Sequence, residues 1–371
     1  MIFLFVVTGC FESNKHVTTH KINQDGLQAL LVLPVKNTHN STQALPSVII
    51  LGGPEGGIQG ATETGKKLAE HGIAALAVGY FGMPELPATL NNIPLEYFNA
   101  AIKYIDTSTQ LTRNQCNQIP VIGSSRGAEL ALLLGTNNKH FAPIIAISPS
   151  SHSWGALGDK DAAAWTVNNQ PVPFVPRHSN PDYSVSQFVG IDYFRQELKH
   201  PDAKNAVIES SKINGQVLLI AGDDDRLWPS AEMAENIYAQ FANRGLEQQV
   251  EKLIFPDAGH VIAPGLPSNI VQSKLGEAQT ILFGGNRSAN ENAQNAGLNA
   301  IVKLIKSPIC YNSKASFNPK KLQSLRELLN TSNSSSVVLK RAGEVVFEFG
   351  DIFEKHTIHS IRKPILNSLY G

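Results

Sequence analysis

Residues 121–130 read VIGSSRGAEL, and the fold turns on how this stretch is read. The preceding Ile119–Ile122 is apolar and β-branched, as a buried strand requires, and Arg126–Leu134 is rich in helix-forming residues. Between them stands Gly-x-Ser-x-Gly, with Ser125 at its centre. A sharp strand-to-helix turn needs glycines on both sides of its apex, so that a side chain can project from it without backbone clash. The context therefore reads as a nucleophile elbow presenting Ser125.

The same alternation of strand and helix runs outward in both directions. Apolar runs occur at 27–34 (LQALLVLP), 47–53 (SVIILGG), 73–80 (IAALAVGY), 143–149 (PIIAISP), 216–222 (QVLLIAG) and 250–256 (VEKLIFP). Amphipathic stretches such as ATETGKKLAEHG and SAEMAENIYAQFANRG lie between them. Continuous apolar strands separated by helices predict a mostly parallel sheet covered on both faces, an α/β class fold of the α/β-hydrolase type. Residues 151–212 break the rhythm with His, Pro, Asn and aromatic side chains. They predict an irregular cap insertion over the carboxyl edge of the sheet, with 151–195 supplying pocket-lining residues.

A serine needs a base to take its proton, and the base needs an acid to orient it. In this fold type the order along the chain is Ser, then Asp or Glu, then His. VLLIAGDDDRLWPS places Asp223, Asp224 and Asp225 just beyond a strand, and FPDAGH places His260 beyond the next. Asp225, third after the glycine, is positioned to reach back to the histidine, with Asp224 second choice. Asp223 reads as a solvated turn residue and Asp257 as a loop-stabilising one. For the oxyanion of acyl transfer, the backbone N–H of Arg126 follows the nucleophile, and Gly53 or Glu55 in LGGPEGG supplies a second donor, since Pro54 has no N–H. The glycines of that loop match neither Gly-Lys-Ser/Thr nor Gly-x-Gly-x-x-Gly, which sets aside a phosphate-binding reading.

Composition narrows the partners. Lys and Arg number 31, Asp and Glu also 31, giving a formal charge of zero, so no basic field exists to hold nucleic acid. Three cysteines without a CxxC pair exclude a disulfide-dense scaffold, and no ligand set points to a metal or other cofactor. His16 and His20 read as surface residues. The start, MIFLFVVTGC, resembles a bacterial lipoprotein signal, with Cys10 as the candidate for lipidation and membrane attachment, although no Lys or Arg precedes the apolar run. The other reading of it is a buried N-terminal strand in a cytoplasmic protein.

Taken together, GGPEGG, LAEHGIAALAVGYFG, GSSRGAELAL, INGQVLLIAGDDDRLWPS and FPDAGHVIAP resemble the C-terminal hydrolase domain of the acyl-CoA thioesterase and bile acid-CoA:amino acid N-acyltransferase family, over roughly residues 25–307. The resemblance implies an acyl group carried on Ser125, with Asp225 and His260 completing a triad, and a small-molecule acyl thioester as substrate. A serine, rather than a cysteine, at this position is similar to the thioesterase members. Mammalian members place a β-sandwich before this domain, and the residues ahead of the sheet here are too few to build one. A carboxylesterase or dienelactone-hydrolase-like enzyme acting on oxygen esters, and an inactive envelope-anchored scaffold, are the alternatives.

Three segments are expected: a leader at 1–20, the hydrolase domain at 21–308, and a linker with a small incomplete α+β segment at 309–371. In the last, SSSVVLKRAGEVVFEFGD predicts a β-hairpin turning at Ala342-Gly343. The tail resembles the opening of a serine β-lactamase-type domain, Ser360 and Lys363 matching its Ser-x-x-Lys. Most of such a domain has no counterpart here, so no activity is expected of it.

Overall fold

The computed structural model describes residues 17–35, 44–176, 187–275, 279–311, 319–332, 334–341 and 344–351. Cys10 and the Ser360 and Lys363 pair lie outside them, as does the turn Ala342-Gly343. Two compact units are present, Met1–Asn312 and Ser313–Gly371.

In the first unit eight strands run through a nine-stranded sheet: β1 (Val17–Gln24), β2 (Leu27–Pro34), β3 (Leu45–Leu51), β4 (Ala74–Gly79), β5 (Ile119–Ser124), β6 (Phe141–Ile147), β7 (Val217–Gly222) and β8 (Val250–Phe255). Their order is β1-β2-β4-β3-β5-β6-β7-β8, and the short strand Leu111–Thr112 also pairs with β3. From β4 to β8 all pairs are parallel; β1, β2 and β4 are antiparallel neighbours. Each apolar run read from the sequence is one of these strands. The exception is β1, VTTHKINQ, whose polar residues hide it from a hydrophobic pattern. It is an exposed edge strand held by pairing to β2 from Val17↔Pro34 to Gln24↔Leu27, across a turn in which Asp25 and Gly26 both adopt positive φ, as a two-residue hairpin demands.

The helices follow from the handedness of the crossovers. The step from β3 through α1 (Gln59–Glu70) to β4 moves toward the β1 edge. After α2 (Asn99–Thr107), which precedes β5, the steps through α3 (Arg126–Asn137) and α5 (Ser230–Ala242) move the other way. Right-handed connections therefore put α1 on one face and α3 and α5 on the other. On the α1 face, Ala61 and Leu68 pack with Ala293, Ile301 and Ile305 of α6 (Arg287–Lys306) over Ile50, Ile122, Ile147 and Ile220. Strand order reverses between β3 and β5, and the loops that leave these strands diverge there to leave a crevice.

Residues 151–212 hold short strands, 3-10 turns and α4 (Gly190–Leu198). Trp154, Val175, Ala203, Ala206, Trp228 and Met233 form a separate buried cluster there, with Phe194 edge-on to both tryptophans. One feature escaped the sequence reading altogether: Cys116, ahead of β5, forms a disulfide with Cys310, 194 residues away. The Gln115 amide donates to Pro308 O beside it at 2.6 Å. The second unit contains α7 (Pro319–Thr331) and an antiparallel hairpin of Ser336–Arg341 with Glu344–Gly350.

Candidate active site

Ser125 sits between β5 and α3 with φ 56° and ψ −120°, a strained conformation for a residue with a side chain. The flanking glycines are compelled by contact. A Cβ on Gly123 would lie 1.8 Å from Gly127 O, and one on Gly127 would lie 2.3 Å from Gly52 O. The elbow is pinned by Ser125 N–H donating to Ile147 O at 2.9 Å, and it turns straight into α3 as Ala128 N–H donates back to Ser125 O.

The three residues taken from motif order meet. His260 Nε2 is 2.9 Å from Ser125 Oγ, and His260 Nδ1 is 2.8 Å from Asp225 Oδ2. The second oxygen of Asp225 accepts from Leu227 N–H at 2.9 Å and Trp228 N–H at 3.1 Å, which fixes the carboxylate plane. The imidazole lies edge-on to Trp228 and stacks near Phe283, while its own backbone donates to Phe283 O and accepts from Ser148 Oγ. All three side chains are buried. The other aspartates have different partners. Asp223 accepts from Asp257 N–H at 2.7 Å, and Asp224 binds Arg226 Nε at 2.5 Å and Gly285 N–H at 2.9 Å.

The loop after β3 differs from expectation. Gly53 N–H donates to Glu55 Oε1 at 2.9 Å, and the Glu55 carboxyl also takes its own backbone N–H. Both donors proposed from the sequence are thus turned onto a side chain, because the glycine-rich loop lets Glu55 fold back over Gly52 and Gly53. Glu55 keeps accessible surface, since it lines a cavity, yet protein surrounds it there. That loss of water raises its carboxyl above the usual range, against the opposing pull of the two N–H groups and of His260. Tyr80 braces the loop from below, its hydroxyl donating to Gly52 O at 2.6 Å. Arg126 N–H stands at the first position of α3, directly after the nucleophile.

Sequence reading also passed over Glu129. It is wholly buried and accepts from Trp154 N–H at 3.0 Å, Trp165 Nε1 at 2.5 Å and Ser153 Oγ at 3.3 Å, with Arg126 Nε 3.2 Å away. Arg126 Nη2 donates to Trp154 O and Gly155 O. The first turn of α3 therefore bolts the insertion to the nucleophile helix. Burial raises the Glu129 carboxyl, with Arg126 and these donors opposing the rise. The available signal was an Arg and a Glu three apart in an otherwise apolar helix.

The cavity at Ser125, about 310 Å3, is lined chiefly by the loop after β3 and the start of α1, by Ser124 and Ser125 of the elbow, and by His260, Leu266, Ile270 and Phe283. Among the described residues of 151–195, expected to line it, none does so. The walls described come from the loop after β3, from α1 and from the loop after His260, while Trp154 and Phe194 of the insertion pack with Trp228, and Phe188 and Tyr193 pack with Leu227 and Phe283.

A family model described as BAAT / acyl-CoA thioester hydrolase C terminal matches residues 93–308, a span that includes Ser125, Asp225 and His260. Acyl-coenzyme A amino acid N-acyltransferase 1 of Mus musculus is 26% identical over 262 residues, 70% of this chain and 59% of its own. Acyl-coenzyme A thioesterase 6 of Homo sapiens is 28% identical over 237 residues, 61% of this chain and 52% of its own. The chain thus spans between half and six-tenths of these relatives. A dienelactone hydrolase-like promiscuous phosphotriesterase from metagenomic libraries superposes with a TM-score of 0.47 at 14% identity, over 78% of this chain and 98% of that one.

Proposed function

Because the chain belongs to the BAAT / acyl-CoA thioester hydrolase C-terminal family, we propose that it hydrolyses acyl thioesters through an acyl-serine at Ser125. The observation that carries the reading is His260, bridged to Ser125 Oγ on one ring nitrogen and to Asp225 on the other. With Asp225 accepting the Nδ1 proton, Nε2 is left as the acceptor facing Ser125. His260 takes the Oγ proton as Oγ bonds to the acyl carbon, and a tetrahedral oxyanion forms. Collapse breaks the carbon–sulfur bond, and the departing thiolate receives the proton from His260. Water, deprotonated by His260, then attacks the acyl carbon; the carbon–Oγ bond breaks, His260 returns its proton to Ser125 Oγ, and the carboxylic acid leaves.

The oxyanion is assigned to Arg126 N–H and the Gly53 loop. Glu55 supports this placement, because a carboxylate already lodges against Gly53 N–H where a negatively charged oxygen would be held.

A second reading draws on the disulfide. Cys116–Cys310 suits an oxidising compartment, in keeping with lipidation at Cys10, and CoA is scarce there. An oxygen ester would then be the substrate of the same triad.

The test is thiol release from acyl-CoAs beside matched oxygen esters, with wild type and Ser125→Ala. Turnover that favours acyl-CoA and disappears in Ser125→Ala supports the thioesterase. Ser125-dependent cleavage of oxygen esters alone transfers the mechanism to the second reading, and turnover that survives in Ser125→Ala overturns both.

A further inference from the structure

Ser148 directly follows β6, is wholly buried, and adopts φ 48°. A side chain makes that backbone costly, whereas glycine takes it freely. The one polar atom that serine adds over glycine is Oγ, and Oγ donates to the backbone carbonyl of His260 at 2.7 Å.

The peptide unit between Ile147 and Ser148 is tied to the other two arms of the triad. Its carbonyl, Ile147 O, accepts from Ser125 N–H at 2.9 Å, and its N–H donates to Ile220 O of β7 at 2.7 Å. β7 ends at Gly222 and leads directly to Asp225. The end of β6 therefore meets the nucleophile, the strand that carries the acid, and the base.

His260 lies in a loop without regular structure. Its N–H donates to Phe283 O at 2.9 Å, and its carbonyl also accepts from Ile262 N–H at 3.2 Å. The Ile262 bond comes from the same loop and travels with it. Among the described hydrogen bonds of the His260 backbone, the Ser148 bond is the one that reaches the end of a strand of the central sheet. Losing the hydroxyl leaves the carbonyl its Ile262 donor, so no buried group is orphaned and the loss falls on aim more than on stability.

We propose that Ser148 is a positioning residue for the triad, its hydroxyl fixing the His260 backbone against the strands that carry Ser125 and Asp225 and so setting the approach of Nε2 to Ser125 Oγ. Ser148 is not among the residues that line the cavity and acts through His260 alone. The inference rests on Ser125 being the acylated residue.

The experiment compares Ser148→Gly, which suits the backbone, with Ser148→Ala, which keeps the Cβ; both lack the hydroxyl. A misplacement of about 1 Å at a reacting centre costs about a hundredfold, so kcat for Ser125-dependent turnover should fall at least about tenfold in each, with KM within about twofold of wild type. Ser148→Gly should melt near wild type by circular dichroism, and if it does not fold, Ser148→Ala carries the same comparison. In a His260→Ala background either change should alter the residual rate less than about twofold, because groups that act as a unit are not additive. The low-field NMR proton of His260 Nδ1, 2.8 Å from Asp225 Oδ2, needs no substrate and should shift or broaden in both variants. A folded variant that loses less than about tenfold in kcat, a loss confined to KM, or the same loss with and without His260 would overturn the inference and leave Ser125-dependent hydrolysis intact. Turnover that survives in Ser125→Ala would instead remove the hydrolase reading. Ser148 is then judged on the NMR proton: an unchanged resonance sinks the positioning role, and a displaced one upholds it.

Discussion

Replacing Asp225 by Asn tests the proposed mechanism at its most exposed point, because the structure dictates how the new amide must sit. One oxygen of Asp225 accepts two backbone N–H groups, from Leu227 and Trp228. The Asn carbonyl must take that place, since turning the NH2 toward two buried donors would leave both unsatisfied, at about 1–3 kcal/mol each. The NH2 then faces His260 Nδ1, 2.8 Å away in the wild type. To accept it, the ring must carry its proton on Nε2, aimed at Ser125 Oγ, and a protonated Nε2 cannot act as base. On a Ser-His-Asp site that exchange costs about ten-thousandfold in kcat, or about 5.4 kcal/mol of transition-state stabilisation at 1.36 kcal/mol per decade. Asp224→Asn is the control. Its bonds to Arg226 and Gly285 are remote from the ring, and a partly exposed pair is worth about 0–1 kcal/mol, so activity should stay within about fivefold. Acyl-thioester turnover is read for both, with circular dichroism confirming folded protein. An Asp225→Asn enzyme within tenfold of wild type, or a larger loss in Asp224→Asn, would refute the assignment of the acid.

Three further outcomes follow from the same coordinates. The protein around the cavity strips water from the Glu55 carboxyl and raises it above its ordinary value, so its contribution to stability is complete below that value and is lost as pH rises through the raised one. Glu55→Gln should therefore melt higher than wild type at neutral pH, with the gap closing near pH 4; a gap that does not change with pH would contradict the shift. Glu129→Ala strips the partner from the buried Arg126 and orphans the Trp165 indole N–H, and should cost about 3–5 kcal/mol in urea unfolding. A loss under 1 kcal/mol would mean the network is not what holds the insertion. Joint replacement of Cys116 and Cys310 by Ser should lower stability by roughly 2–4 kcal/mol and leave acyl-chain preference unchanged; reductant should reproduce the drop in wild type and do nothing to the variant.

The sheet was legible because its strands are continuous apolar runs, and the elbow because close contacts at Gly123 and Gly127 leave a local mark in the chain. His260 and Asp225 were legible from their order after strands, without any knowledge of distance. Features that depend on where a flexible side chain turns were not. Glu55, in a glycine-rich loop, has the composition of a solvated residue, and only the backbone path over Gly52 and Gly53 brings its carboxyl inward. Cys116 and Cys310 stand 194 residues apart with no motif to link them. The insertion at 151–212 was legible from its broken rhythm, but Trp154 and Phe194 pack with Trp228 rather than around the cavity.

The position of Glu55 has its physical origin at the point where strand order reverses. There the β3 loop and the elbow lie side by side: a Cβ on Gly53 would fall 3.5 Å from Ser125 Cβ and 2.8 Å from Glu55 Oε2. Backbone N–H groups that converge at strand and helix ends make a place for negative charge. In the resting chain Glu55 fills it, at the cost of a carboxyl partly stripped of water. On the proposed oxyanion assignment, an acyl oxygen at Gly53 N–H would compete with that carboxyl for a single donor, so whatever weakens the Glu55 contact would favour the oxygen. A loop that gathers donors for a developing charge also captures the nearest permanent one, and for that reason the side chain of Glu55, which the sequence offered only as a backbone donor, lies against Gly53 beside Ser125.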